Sequence, residues 1–210
     1  MPSGPVPAAE ALLRGLPALE AALGEVAQRL RRITVQVRAG GRGAGAGVVW
    51  LRRGLVVTNA HVAAAPRVEV VLADGRAFTA RVTARDPRRD LALLALSAND
   101  LEPALRADAR GLRPGELLVA LGHPLGVPNA AALGLVFRAP TGAPAPGGWL
   151  QADIRLAPGN SGGPLADASG RVVGINAMIA GGLGIAVPTH VIEQFVQEVA
   201  DGGRGGARAA

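Results

Sequence analysis

Ala157-Pro158-Gly159-Asn160-Ser161-Gly162-Gly163-Pro164-Leu165 sets one hydroxyl, that of Ser161, among three glycines and two prolines. Glycine lets the backbone take positive φ and come close to a bound group. Backbone N–H groups that converge beside a serine Oγ suit acyl transfer, in which negative charge develops on a carbonyl oxygen. The same composition also describes a surface turn. The stretch acquires chemical meaning only if a base and an orienting carboxylate stand elsewhere in the chain.

Three histidines are available. His123 lies in the turn Leu121-Gly122-His123-Pro124-Leu125-Gly126 and His190 opens the last helical segment, so both read as structural. His61, in Thr58-Asn59-Ala60-His61-Val62, follows directly on a strand, where loops carry function. The carboxylate must be buried near the base and compensated by hydrogen bonds. Asp90 heads the apolar run Leu91–Leu96 and is well placed for desolvation. Asp86 is the alternative, while Asp74 falls in a hairpin turn. The order His61, Asp90, Ser161 is that of chymotrypsin-type double barrels, with base and acid in the first half and the nucleophile in the second. Gly159–Gly163 also matches the G-x-S-x-G elbow of α/β-hydrolases. That reading needs a helix after the serine, and Pro164 with the hairpin signal Ala168-Ser169-Gly170 stands there instead.

The patterning around these residues is that of an all-β chain with a helix at each end. Leu12, Leu16, Leu19, Leu23, Val26 and Leu30 recur at spacings of three and four, predicting a helix over 8–32, with Gly15 and Pro17 breaking or kinking it. From Ile33 the period becomes two. Gly40–Gly47 reads as a glycine-rich turn, and lacks the Lys-Ser or Lys-Thr of a phosphate loop. Short strands joined by tight turns follow to Leu96, and a second set runs from Glu116 to Val187, with a Pro/Gly-rich loop at Ala139–Gly148. The expected division is a helical segment over 1–32 and a protease-like domain over 33–200. Its first barrel covers about 33–107, its second about 112–190, and a closing helix 189–200, with Thr189 as candidate N-cap. A Gly/Arg/Ala tail over 201–210 is expected to be disordered.

Composition narrows the function. Of 210 residues, 49% are hydrophobic and only 2% aromatic, so Val, Leu, Ile and Ala must build the core. Without cysteine there is no disulfide, thiolate metal site or cysteine nucleophile. The net charge of +6 comes from arginine alone, scattered and without interleaved aromatics, so no nucleic-acid partner is expected. No apolar segment is long enough to span a membrane. Residues 1–10 carry no basic stretch of a secretory signal, so the expected compartment is the cytoplasm, or the periplasm if an export segment was removed.

Thr58–Val62, Asp86–Leu94 and Gln151–Leu165 together resemble the HtrA (Deg) family of trypsin-like serine proteases, with Leu121–Gly126 and Gly184–Pro188 adding to the match. The resemblance covers roughly 35–199, the protease domain without the PDZ domains that usually follow it. It implies His61 as general base, Asp90 as its partner and Ser161 as nucleophile. The oxyanion hole would be formed by Gly159 and Ser161 N–H groups with Asn160 between them. By the same resemblance, Leu156, Asn176, Ala177, Met178 and Ala186 belong to the substrate pocket, suited to small or medium aliphatic side chains. The resemblance further implies unfolded polypeptides as substrates, no cofactor or metal, no N-terminal zymogen cleavage and a homotrimer. The family's trimer contacts are usually aromatic, and this N-terminus has no aromatics. The rival is a chaperone-like or peptide-binding module of the same fold that cleaves poorly.

Overall fold

The computed structural model describes residues 7–40, 44–141 and 148–205. Helix α1 (Pro7–Ile33) leads into β1 (Thr34–Arg38), β2 (Ala44–Leu51), β3 (Leu55–Thr58), β4 (Arg67–Val71), β5 (Ala77–Asp86) and β6 (Leu91–Ala95). After a connecting segment come β7 (Leu117–Gly122), β8 (Ala130–Arg138), β9 (Leu150–Asp153), β10 (Pro164–Asp167), β11 (Val172–Ala180), β12 (Leu183–Pro188) and α2 (Thr189–Gly205). The first six strands close into a barrel in the order β1-β2-β3-β6-β5-β4, and the second six in the order β10-β11-β12-β9-β8-β7. This is the all-β chymotrypsin-like double barrel with a helix at each end that the motifs predict.

Strand periodicity explains how two barrels share one core. In β6, Ala92 and Leu94 point into barrel 1, beside Val35, Val37, Val56 and Val70. Leu91 and Leu93 point outward into the cluster between the barrels. Strand β7 does the same in mirror fashion: Leu118 and Ala120 fill barrel 2, and Val119 and Leu121 join the inter-barrel cluster. Both faces of these strands are therefore buried, which is why they read as unbroken apolar runs. The cluster between barrels also takes Val26, Leu30 and Ile33 from α1 and Val191, Ile192 and Phe195 from α2.

Four expectations give way. Gly40–Gly47 is not one turn, because β2 starts at Ala44 and Gly45 and Gly47 lie within it, paired with Val37 and Val35. A Cβ on Gly45 would strike the Val62 side chain and one on Gly47 the Val56 side chain, so close packing and not a bend demands these glycines. Helix α1 is continuous through Gly15 and Pro17. Residues 15–22 of it lie in solvent, where water can supply the donor that Pro17 lacks. Thr189 does not cap α2, since its hydroxyl donates to Ala107 O (2.7 Å) and accepts from Ala109 N–H (3.2 Å). That pair ties the inter-barrel connection to the start of the helix. Finally, α2 runs on to Gly205, past the expected end at 200, while 206–210 lie outside the described residues, as do 142–147 of the proline-rich loop.

Candidate active site

His61 sits in the connection that leaves β3, and Asp90 in the tight connection into β6. The ladder between β3 and β6, with Thr58 opposite Ala92, fixes the two side by side. Asp90 takes φ +50, a left-handed conformation that aspartate tolerates better than most residues. Asn59, fully buried, donates from Nδ2 to the Asp90 carbonyl (3.0 Å) and holds that bend. The Asp90 carboxylate then accepts twice from His61, through Oδ2 from Nδ1 (2.8 Å) and through Oδ1 from the backbone N–H (3.1 Å). Its side chain is 14% exposed and the imidazole 51% exposed, so the acid is enclosed and the outer ring nitrogen is open. Asp86 is otherwise engaged, accepting from the Arg88 and Arg89 N–H groups and pairing with the Arg89 guanidinium. Asp74 binds Arg76 in its turn.

Ser161 reaches the same place from barrel 2, in the connection between β9 and β10. Backbone hydrogen bonds build its loop. Asn160 N–H donates to Ala157 O (3.0 Å), closing a turn with Pro158 second and Gly159 third at φ +105, the signature of type II. Gly163 N–H returns to Asn160 O, Gly162 N–H goes to Asn176 O, and Asn176 Nδ2 donates to Gly163 and Pro164 carbonyls. The loop docks on barrel 1 where Ala46 N–H donates to Ser161 O (2.8 Å). Thr58 Oγ1, three residues before His61, donates to Ala46 O (2.6 Å). Gly162, at φ +83, lies against both Ala46 O and Thr58 Oγ1. Ser161 Oγ itself donates to Ala177 O at 3.2 Å.

A cavity of about 210 Å³ opens beside Ser161. Leu156, Asn176, Ala177 and Met178 line it, together with Ala157, Pro158, Asn160 and Ile179, and no ionisable side chain is among them. Ala186, also expected there, packs into the barrel 2 core opposite Leu150 and Asn176. Strand β11 pairs with β10 only as far as Ile175, while its later residues pair with β12 alone. At Asn176 the serine loop takes the opposite edge, through Gly162 N–H to Asn176 O and Asn176 N–H to Gly163 O. From Ala177 onward that edge has no strand beside it among the described residues, next to the serine. Thr58, Ala46 and Asn176 as supports of the loop escaped sequence reasoning; the hydroxyl three residues ahead of His61 was the one visible signal.

A family model described as trypsin-like peptidase domain matches residues 45–175. Serine protease HTRA1A of Danio rerio is 37% identical over 166 residues, 75% of this chain and 35% of the relative. A probable periplasmic serine endoprotease, DegP-like, of Marinomonas sp. (strain MWYL1) is 36% identical over 171 residues, 76% of this chain and 36% of the relative. The chain spans about a third of the length of these curated relatives. Among solved structures, the HtrA-type protease AlgW with tripeptide superimposes with a TM-score of 0.78 at 30% identity, over 86% of this chain and 64% of that one.

Proposed function

We propose a function from one premise: the chain belongs to the trypsin-like peptidase family, in its HtrA branch. On that premise it is a serine endopeptidase, and the observation that carries the detailed reading is the doubly bonded His61–Asp90 pair beside the Ser161 loop. Asp90 holds the proton on Nδ1, which leaves Nε2 with a lone pair facing solvent and substrate. His61 takes the Ser161 proton through Nε2 as Oγ attacks the scissile carbonyl. The oxyanion forms against the Gly159 and Ser161 N–H groups, which would strengthen their bonds as charge develops. Collapse breaks the C–N bond, and His61 returns the proton to the leaving amine. Water, deprotonated by His61, then hydrolyses the acyl-enzyme and restores Ser161.

Substrate reading follows from the free edge of β11. An extended peptide can add there as a strand, its main chain bonding the edge and one side chain entering the cavity. A substrate N–H that bonds Ala177 O would displace the Ser161 hydroxyl from that carbonyl and release it towards His61. Strand addition requires an extended segment, so unfolded polypeptides are the expected substrate class, with small or medium aliphatic side chains in the uncharged cavity. AlgW, an HtrA-type protease solved with a tripeptide, makes a peptide a fitting ligand class for this chain as well.

One observation favours a second reading, a peptide-binding module of low turnover: the Ser161 hydroxyl rests on Ala177 O and not on His61. A single experiment separates the two. The chain and its Ser161→Ala variant are incubated with unfolded casein and with a fluorophosphonate probe. Cleavage and labelling that disappear in the variant are expected. Casein bound by both chains but cut by neither would establish the binding module instead.

A further inference from the structure

The turn that follows β7 touches the serine loop through its backbone at three points. Leu125 N–H donates to Pro158 O (2.9 Å), and His123 N–H donates to Gly159 O (3.1 Å). The His123 carbonyl lies so close to Gly159 that no side chain fits there. The Pro158–Gly159 peptide is trans, so its N–H points opposite to its C=O. With that carbonyl drawn towards Leu125, the Gly159 N–H is turned away from the turn; its chain neighbours Pro158, Asn160 and Ser161 line the cavity. A type I turn at the same place would rotate this peptide and withdraw the donor.

The turn is not a relaxed one. Leu125 takes φ +52 and Asn129 φ +58, conformations that cost non-glycine residues energy unless the surroundings fix them. The Leu125 side chain is 81% exposed and contributes nothing to fixing it. The group inside the turn is the His123 imidazole, 5% exposed, which accepts from Asn129 N–H at Nδ1 (3.3 Å) and so bonds the two ends of the 123–129 segment. Nδ1 being the acceptor, the proton is on Nε2, which is buried and whose neighbouring acceptor is the Val35 carbonyl, outside full hydrogen-bonding geometry. Burial holds this ring below the ordinary histidine value. The Val35 carbonyl opposes that, and the Arg38 charge adds to it.

We propose that His123 is a positioning residue for the oxyanion donor: by closing the 123–129 turn it presents the Leu125 and His123 N–H groups that hold the Pro158–Gly159 peptide with its N–H towards the reacting carbonyl. This rests on the serine-protease reading above. His123 does not touch substrate, and acts through the turn.

The test uses the chain with His123→Ala and His123→Asn, beside wild type and Ser161→Ala. Asparagine keeps an acceptor near the position of Nδ1; alanine removes it. kcat and KM are measured on a peptide substrate, with inhibition by a peptide aldehyde, which forms an oxyanion, and by the corresponding product peptide, which does not. Losing one oxyanion donor costs on the order of 10²–10³ in kcat, so a donor held less well in His123→Ala is expected to cost roughly 10- to 100-fold, with KM changed less than about threefold. Aldehyde affinity should fall in parallel and product affinity should not. His123→Asn should recover most of the loss. A folded His123→Ala with wild-type kcat and aldehyde affinity overturns the proposal, as does an equal loss in both variants. Should His123→Ala fail to fold, His123→Gln, which keeps bulk but moves the acceptor by one bond, carries the same prediction. If wild type itself is inert, or Ser161→Ala is as active as wild type, the serine-protease reading falls, an outcome distinct from failure at His123.

Discussion

In barrel 1 the connection between β3 and β4 carries His61; in barrel 2 the equivalent connection, between β9 and β10, carries Ser161. The equivalence is topological, because the strand order of barrel 2 read backwards repeats that of barrel 1. The means of support differ. His61 is aimed by side chains, the Asp90 carboxylate and behind it the Asn59 amide. Ser161 is aimed largely by main chain: a type II turn, two glycines at positive φ, and N–H groups lent by Ala46, Leu125 and His123. A side-chain support can be replaced with little effect on the fold. A backbone shape cannot, since the residues that permit it have no side chain to change.

Gly162→Ala puts that difference to its severest test. A methyl there meets Ala46 O and Thr58 Oγ1 while the backbone stays at φ +83. A loss of roughly 2–4 kcal/mol in urea unfolding is expected, together with loss of fluorophosphonate labelling. Asp90→Asn is the counterpart in barrel 1. Asparagine accepts the left-handed φ and can still accept from the His61 N–H. The midpoint of unfolding should stay within the range of a surface change while kcat falls on the order of 10³–10⁴. Equal stability losses in the two variants would erase the distinction between barrels. Thr58→Val removes one side-chain bond to the shared Ala46 carbonyl, and about 1 kcal/mol is expected from thermal or urea unfolding, with activity reduced severalfold.

The smallest effect is on acid stability. Burial first of all lowers His123 and His190 below their ordinary value of 6.5. The unfolded chain then binds more protons than the folded one between the two values, so their contribution is complete above about 6.5 and is lost as pH falls. Both histidines belong to the second half of the molecule. The first half enters at lower pH. Although burial opposes it, Asp86 is held below 3.8 by Arg89 and by the Arg88 and Arg89 N–H groups. Asp108, between the barrels, is held to about 2 chiefly by the Arg110 guanidinium. These carboxylates lose their contribution only below their ordinary range. Urea midpoints measured from pH 8 to 4 should therefore decline first through the histidine window, and a chain with His123→Asn should decline less there. An unchanged slope in that variant would remove His123 from the account.

The serine loop, His61 and Asp90 were legible because each requires a particular side chain at a strand end of recognisable pattern. The apolar run Leu91–Leu96 likewise marks a strand buried on both faces. What could not be read is what the main chain does. Gly45, Ala46 and Gly47 have a turn composition but form a strand, and the reason is space beside Val62 and Val56, which only the folded molecule defines. Leu125 acts through an N–H that any residue except proline would offer. His123 reads as a turn residue, and it is one; that its turn grips Gly159 depends on contacts between segments far apart in sequence. Ala186 pairs with Asn176, which lines the cavity, but its own side chain packs into the barrel 2 core, and its neighbours Ile185 and Val187 belong to the cluster between the barrels.

Trp50 in β2 and Trp149 just before β9 are the two tryptophans of a chain without tyrosine. Each comes from one barrel, each is almost completely buried, and both belong to the cluster between the barrels. Intrinsic fluorescence in this molecule therefore reports the docking of the two barrels more than the closure of either. The Ala46–Ser161 bond forms across the same interface, and such non-local contacts are among the slow steps of folding. During refolding the emission change and the gain of a competent serine loop should keep the same time course, with most backbone structure formed before both.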